Sequence, residues 1–248
     1  MLIPTFFAKL IRDFDELGFT LSLMEKINLK QELAYFDNRR TFFALQGKID
    51  GTDFEATFFI VRPKHENFFA IRHYQFKLKS EGTQKCQVFK VNYLENDWFP
   101  VKLKGPISKI MAYNLLSGRA VFNDESKAWL QIDFSKRCSE LSPAELNSGD
   151  YLINADRFDQ LHDNFVMRKY ADFDLKKELT ALGIDNVDDV EKRLRNGDVV
   201  KIQDDRQKLS MMVSPKFRYI RKTVVQPHRI SLGDGASFKN RIRKRRKK

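Results

Sequence analysis

The side chains able to do chemistry fall into two unequal sets. Four histidines, His65, His73, His162 and His228, are scattered along the chain, and no two stand at metal-ligand spacing. The two cysteines, Cys86 and Cys138, are far apart in sequence. Two cysteines cannot form a disulfide framework, which places the chain in a reducing, cytoplasmic setting. No glycine-rich phosphate loop is present around Gly105 or Gly118. Asp172, Asp174 and Glu178 bring three carboxylates close together, the raw material of a metal-dependent nuclease. The same acids also suit a helix N-terminus, where they complement the dipole, and Asp188 and Asp189 admit the same account.

The second set is cationic. Residues 216–248 hold 13 Lys or Arg and one acid, Asp234. The whole chain holds 45 Lys or Arg and 33 Asp or Glu, so residues 1–215 carry 32 of each sign and are neutral. The net charge of +12 is therefore a property of the C-terminal segment. Eight of the last ten residues are basic: Lys239, Arg241, Arg243, Lys244, Arg245, Arg246, Lys247 and Lys248. Like charges at that density repel unless a polyanion neutralises them, and phosphate contacts do so with release of counterions. These eight, with Arg218, Arg221 and Lys222 upstream, are the candidate nucleic-acid-binding residues. Arg119, Arg72, Lys77 and Lys79 form a candidate site on the body. A solubilising tail or an acidic membrane surface are the other uses of such charge, but no amphipathic helix or lipid motif lies beside it. No apolar run approaches the roughly 18 residues of a membrane span, and the first residues suit a folded helix and not a signal peptide.

Positioning these groups falls to a body whose pattern changes period. Phe7, Leu10, Ile11, Phe14 and Leu17 recur at spacings of three and four, which predicts a helix over 4–17. A second helix is expected within 21–37, marked by Leu23, Ile27, Leu33 and Phe36. From residue 41 the period becomes two. Thr41–Lys48 and Phe54–Arg62 are strand candidates joined by the Asp50-Gly51 hairpin signal. Asn67–Lys79 follows, with Phe68, Ala70, Tyr74, Phe76 and Leu78 expected on one face and Phe69, Ile71, His73, Gln75, Lys77 and Lys79 on the other. Thr83–Tyr93 is the next strand. After a loop with Trp98 and Pro100 comes a helix over 106–117, with Ile107, Ile110, Met111, Asn114 and Leu115 along one side, then a strand over 127–134. Most of the 22 phenylalanines fall in apolar alternation, so Phe43, Phe58, Phe59, Phe68, Phe69 and Phe76 are expected in the core, although aromatic rings on a sheet face can also stack on bases.

Residues 136–150 carry Ser, Pro, Asn and Gly and are expected to be a linker or long loop. Helices over 174–182 and from 186 or 188 to 195, closed by Gly183 and Asn196-Gly197, precede strands over 199–203, 208–213 and 217–225. The expected fold is α+β. Residues 1–135 form a helical segment and an antiparallel sheet with one covering helix, 151–227 a smaller helical and β subdomain, and 228–248 a disordered basic tail.

The run Met111–Phe134, MAYNLLSGRAVFNDESKAWLQIDF, resembles a domain of unknown function found in proteins of bacterial conjugative and other mobile elements. The similar positions are Ala112 to Leu116, Gly118 to Val121, Ala128, Trp129, Gln131, Asp133 and Phe134. Phe68-Phe69 with the strand to Leu78 is similar to that family's aromatic strand. Asn154–Tyr170 and Asp174–Gly197 more loosely resemble its helical close. The resemblance implies a setting, mobile DNA and its processing, but no catalytic residue. Together these features lead to an expected non-enzymatic nucleic-acid-binding accessory protein, of DNA or RNA, with no cofactor and no metal. An adaptor or inhibitor that binds a protein partner and a metal-dependent nuclease are the alternatives.

Overall fold

A computed structural model describes residues 4–34, 40–62, 68–80, 83–91, 105–142, 144–145, 151–152, 164–203 and 207–227. The expected tail, 228–248, and the loop around Trp98 and Pro100 lie outside these residues. The fold is α+β, with five helices and three antiparallel sheets among the described residues.

The first layer follows from the alternation of large aromatic side chains. Strands β1 (Arg40–Ile49), β2 (Thr52–Val61), β3 (Ala70–Ser80) and β4 (Thr83–Lys90) form a meander in that order. The β1–β2 turn has positive φ at both Asp50 (49°) and Gly51 (78°), the paired left-handed conformation that the Asp-Gly signal predicts. Phe43, Phe58, Tyr74 and Phe89 align across the four strands on one face and are all buried. Helix α1 (Pro4–Glu16) closes that face with Leu10 and Phe14, and the Phe14 ring meets Phe58 edge-on at 4.6 Å. Phe19, just past α1, packs against Phe58 and Tyr74.

Three expectations change here. A bulge at Arg72, where the register passes from Phe59↔His73 to Ile60↔Ile71, reverses the alternation at the start of β3. Phe69 and Ile71 therefore join Tyr74 in the core instead of the opposite face. Phe59 is only half-buried and lies on the outer face, stacked on His73 at 4.8 Å, while Phe43, Phe58, Phe69 and Phe76 are core as expected. Helix α2 (Leu23–Ala34) buries Leu29 and Leu33, but leaves Leu23 and Ile27 exposed, so its apolar marks do not form one packed stripe.

Helix α3 (Lys109–Leu116) lies beneath the first sheet, packing on β3 and β4 on one side and on β5 (Val121–Asn123) and β6 (Ala128–Arg137) on the other. Ser108 caps it, its hydroxyl accepting from the Met111 N–H. Ile107, Asn114 and Leu115 are buried, whereas Ile110, expected beside them, is exposed. The second sheet has the order β5-β6-β8-β7, with β7 at Tyr151–Leu152 and β8 at Phe165–Ala171. Its strands come from both sides of the expected boundary. Residues 136 and 137 continue β6, and residues 138–140 form a short 3-10 turn. Residues 165–170, which resembled a helical close, are strand and pair with β6. Antiparallel pairing thus crosses the segment expected to be a linker.

Leu130, Ile132 and Met167 of this sheet complete the first core. Phe122 and Trp129 face a second core, with helices α4 (Leu175–Ala181) and α5 (Val187–Arg195). The third sheet, β9 (Val200–Gln203), β10 (Gln207–Ser214) and β11 (Tyr219–Pro227), contributes Val200, Met211 and Ile220 to that core. Its order is β11-β10-β9, so β11 is an edge.

Candidate nucleic-acid interface

The approach to β11 is built from a proline and a reversed residue. Pro215 opens a 3-10 turn through Phe217, with its ring supplying the φ that the first turn needs. Arg218 then takes the left-handed conformation (φ 54°, ψ 45°), which is uncommon for a residue with a Cβ. Its N–H donates to the Pro215 carbonyl at 3.2 Å. The chain turns back along β10, pairing Ser214 with Tyr219 and Val213 with Ile220. Ile220 points into the second core, and the side chains around it do not. Phe217 is 64% and Tyr219 43% exposed, their ring centroids 6.1 Å apart. The Lys216 ammonium lies over the Phe217 ring at 5.4 Å. From Arg221 to Val225 every residue is exposed on both faces of the strand.

Lys216, Arg218, Arg221 and Lys222 have no carboxylate partner among the described residues. Residues 207–227 contain five Lys or Arg and no Asp or Glu. Beside the turn, a groove of about 280 Å³ is lined by Gln131, Asp133, Phe134, Arg168, Tyr170 and Lys216. Arg168 donates to Asp133 through Nε at 2.8 Å and Nη2 at 2.7 Å. The Ser135 hydroxyl, then Arg168, hold the Asp133 carboxyl below its ordinary range, so it stays charged.

Of the candidate phosphate-binding residues, Arg218 in the turn and Arg221 and Lys222 on the two faces of β11 are all exposed. Lys239, Arg241, Arg243, Lys244, Arg245, Arg246, Lys247 and Lys248 lie outside the described residues. The candidate body site is not a cluster. Lys77 and Lys79 both reach Glu55 on β2, at 3.2 and 3.6 Å, so one carboxylate of the neighbour strand offsets part of their charge. Arg72 is the half-buried bulge residue of β3. Arg119 lies over the Tyr113 ring at 5.0 Å, and Tyr113 belongs to the core on the opposite side of that sheet from Lys77 and Lys79.

The other chemical groups are engaged structurally. Asp172 accepts from the indole Nε1 of the fully buried Trp129 at 3.1 Å and from the Phe173 N–H at 2.9 Å, and Arg195 lies 3.5 Å away. Asp174 caps α4 by accepting from the Lys177 N–H. Asn114 donates from Nδ2 to the Asn196 carbonyl at 2.6 Å and to Asp198 at 3.1 Å, fastening α3 to the end of α5. No three His, Cys, Asp or Glu among the described residues are grouped to hold a metal ion. A cleft of about 710 Å³ between the β1–β2 turn, α3 and the α5–β9 corner is lined by both signs of charge, Asp50 and Asp198 with Arg193 and Lys201. No helix among the described residues is long and apolar enough to cross a membrane.

Phe217, Tyr219 and Lys216 are missing from the sequence-derived site. Their apolar-polar alternation is that of an ordinary strand, and only the register shows that the rings face away from the core. The available signal was the acid-free run around Lys216-Phe217-Arg218-Tyr219. No protein-family model matches the chain, and neither a curated protein nor a solved structure matches it.

Proposed function

We propose that the protein is a non-enzymatic nucleic-acid-binding accessory factor that acts in the cytoplasm and grips phosphates with its C-terminal cations. A single observation carries this proposal. Lys48, Lys77 and Lys79 of the first sheet each pair with a carboxylate on β2, whereas Lys216, Arg218, Arg221 and Lys222 have no such partner among the described residues. They stand at the exit to the polycationic segment that ends at Lys248. Unneutralised cations on an exposed edge, continuous with a basic tail, supply affinity for a phosphate backbone without base recognition. The similarity of Met111–Phe134 to the mobile-element domain supports a role on mobile DNA or its transcripts.

The test is an anisotropy titration of labelled DNA and RNA across salt, with the full chain and with a chain ending at Pro227. The full chain is expected to bind at low salt with a steep slope, about 0.7–0.9 in log K per log salt for each phosphate neutralised. The shorter chain keeps only the corner cations, so its slope should be shallower. Absence of binding by the full chain at low salt refutes the proposal.

The exposed apolar residues of α2, Leu23, Met24 and Ile27, favour a second role as a protein-interaction module with a solubilising tail. That role predicts no salt-dependent nucleic-acid affinity.

A further inference from the structure

We infer that the corner formed by Phe217 and Tyr219 is a stacking site for unpaired bases, which makes single-stranded nucleic acid the preferred ligand. The inference rests on the nucleic-acid function proposed above and names its substrate class. Scattered exposed apolar residues are normal on a protein surface and by themselves mean little. Here the exposure is concentrated. Among the described residues only three aromatic rings are exposed, Phe42, Phe217 and Tyr219, and two of them are neighbours at one turn. Six large rings among the described residues, those of Phe14, Phe58, Tyr74, Phe76, Phe89 and Trp129, are fully buried.

The backbone that presents the pair is itself unusual. Arg218, the residue between Phe217 and Tyr219 in the chain, takes the left-handed conformation, which is strained for a residue with a Cβ. Glycine or asparagine at this position would relieve that strain. Arginine there keeps a cation in the turn that presents the rings. The surrounding charge fixes the partner's chemistry. A wholly apolar partner would bury Lys216, Arg218, Arg221 and Lys222 without a counter-charge, an arrangement that is strongly unfavourable. A peptide of aspartate and glutamate alone would satisfy the cations but offers the rings no aromatic face. A single strand supplies both, with phosphates for the cations and π-faces for Phe217 and Tyr219. In a duplex those faces are hidden by stacking on neighbouring pairs, so the rings add affinity only for unpaired nucleotides. Phe217 has no hydrogen-bonding group, so the site distinguishes strandedness more than sequence.

The test uses the full chain and four probes of equal length: oligo-dT, oligo-rU, a dT strand carrying one 2-aminopurine, and a DNA duplex. Wild-type protein is expected to bind the single strands more tightly than the duplex at the same salt and to quench 2-aminopurine. Phe217→Ala and Tyr219→Ala should each weaken single-strand binding about 5- to 150-fold, a range typical of losing one base–aromatic stack. They should leave duplex binding nearly unchanged and abolish much of the quenching. Phe217→Trp and Tyr219→Phe should retain both binding and quenching, which separates stacking from folding. Comparison of oligo-dT with oligo-rU shows which sugar is preferred. Equal affinity for strand and duplex, or unchanged quenching in the alanine variants, overturns the inference while leaving the phosphate-binding role intact. Displacement of oligo-dT by polyglutamate as readily as by unlabelled oligo-dT also overturns it, because charge alone would then explain the corner. If the full chain binds none of the probes at low salt, both the inference and the function it rests on fail.

Discussion

Tyr74 lies at the centre of the first core, its ring fully buried and its hydroxyl donating to the Ile107 carbonyl at 2.6 Å. That bond ties β3 to the residues that lead into α3. Tyr74→Phe keeps the ring packing and leaves the carbonyl without its donor, so a loss of about 1–3 kcal/mol is expected in urea unfolding at neutral pH. Burial raises the Tyr74 pKa well above its ordinary value of 10.0. The folded chain therefore holds this proton longer than the unfolded chain. The stability it contributes is complete below pH 10.0 and is lost as pH rises beyond that toward the folded value. The melting temperature should fall above about pH 10, and less steeply in Tyr74→Phe than in wild type. Trp129 makes a related use of Asp172, whose carboxylate serves the buried indole N–H. At the sequence level Asp172 could not be told from a metal ligand, because the same carboxylate suits either partner. A contact 43 residues away decided between them.

Between elements, two joints hold the layers together. The first is an exchange of side-chain amides. Gln87 and Asn164 stitch β4 to the start of β8: Asn164 accepts from the Val88 N–H at 2.9 Å and donates to its carbonyl at 3.2 Å, while Gln87 does the same for Phe165. Two of these bonds occupy the Val88 backbone groups at the edge of the first sheet, and two occupy those of Phe165 at the start of β8. Asn164→Ala removes two of them and should destabilise by about 2 kcal/mol or more, measured by urea unfolding. The second joint is the α5–β9 corner. Gly197 has φ 85°, and a Cβ there would meet the Ala120 carbonyl at 2.7 Å and Val121 Cγ1 at 2.9 Å. Gly197→Ala combines left-handed strain with a clash against backbone, for an expected loss of about 2 kcal/mol or more. The Asn196-Gly197 stop was visible in the sequence as a helix end. That the same glycine also makes room for β5 was not, because local spacing carries no information about which strand lies against a turn. The bulge at Arg72 is a further instance. One extra residue inverted the faces of Phe69 and Ile71, and no residue type in Phe69–His73 announces it.

For the molecule as a whole, charge and packing are arranged separately. The layers from α1 to α5 and their cores occupy a chain length that is electrically neutral, and the net charge of +12 gathers from Lys216 onward. If the cations act as phosphate ligands, a triple substitution Arg218→Gln, Arg221→Gln and Lys222→Gln in the full chain should lower the slope of log K against log salt by about 2–3. Its melting temperature should stay close to wild type, because these side chains are exposed and make no ion pair among the described residues. A slope unchanged by the triple substitution would place phosphate contact elsewhere on the chain.

The sequence by itself determined the helix and strand periods, the Asp-Gly hairpin, the mixed α and β class and the segregation of charge. All of these depend on residues close together in the chain or on simple counting. Tertiary structure alone decided that the second sheet takes strands from both sides of residues 136–150, that Lys77 and Lys79 share Glu55 as an ion-pair partner, and that Phe217 and Tyr219 face away from the core. Each depends on which strand lies beside which and in what register. A shift of one residue exchanges the two faces of a strand, so burial is set by the partner and not by the residue's own type.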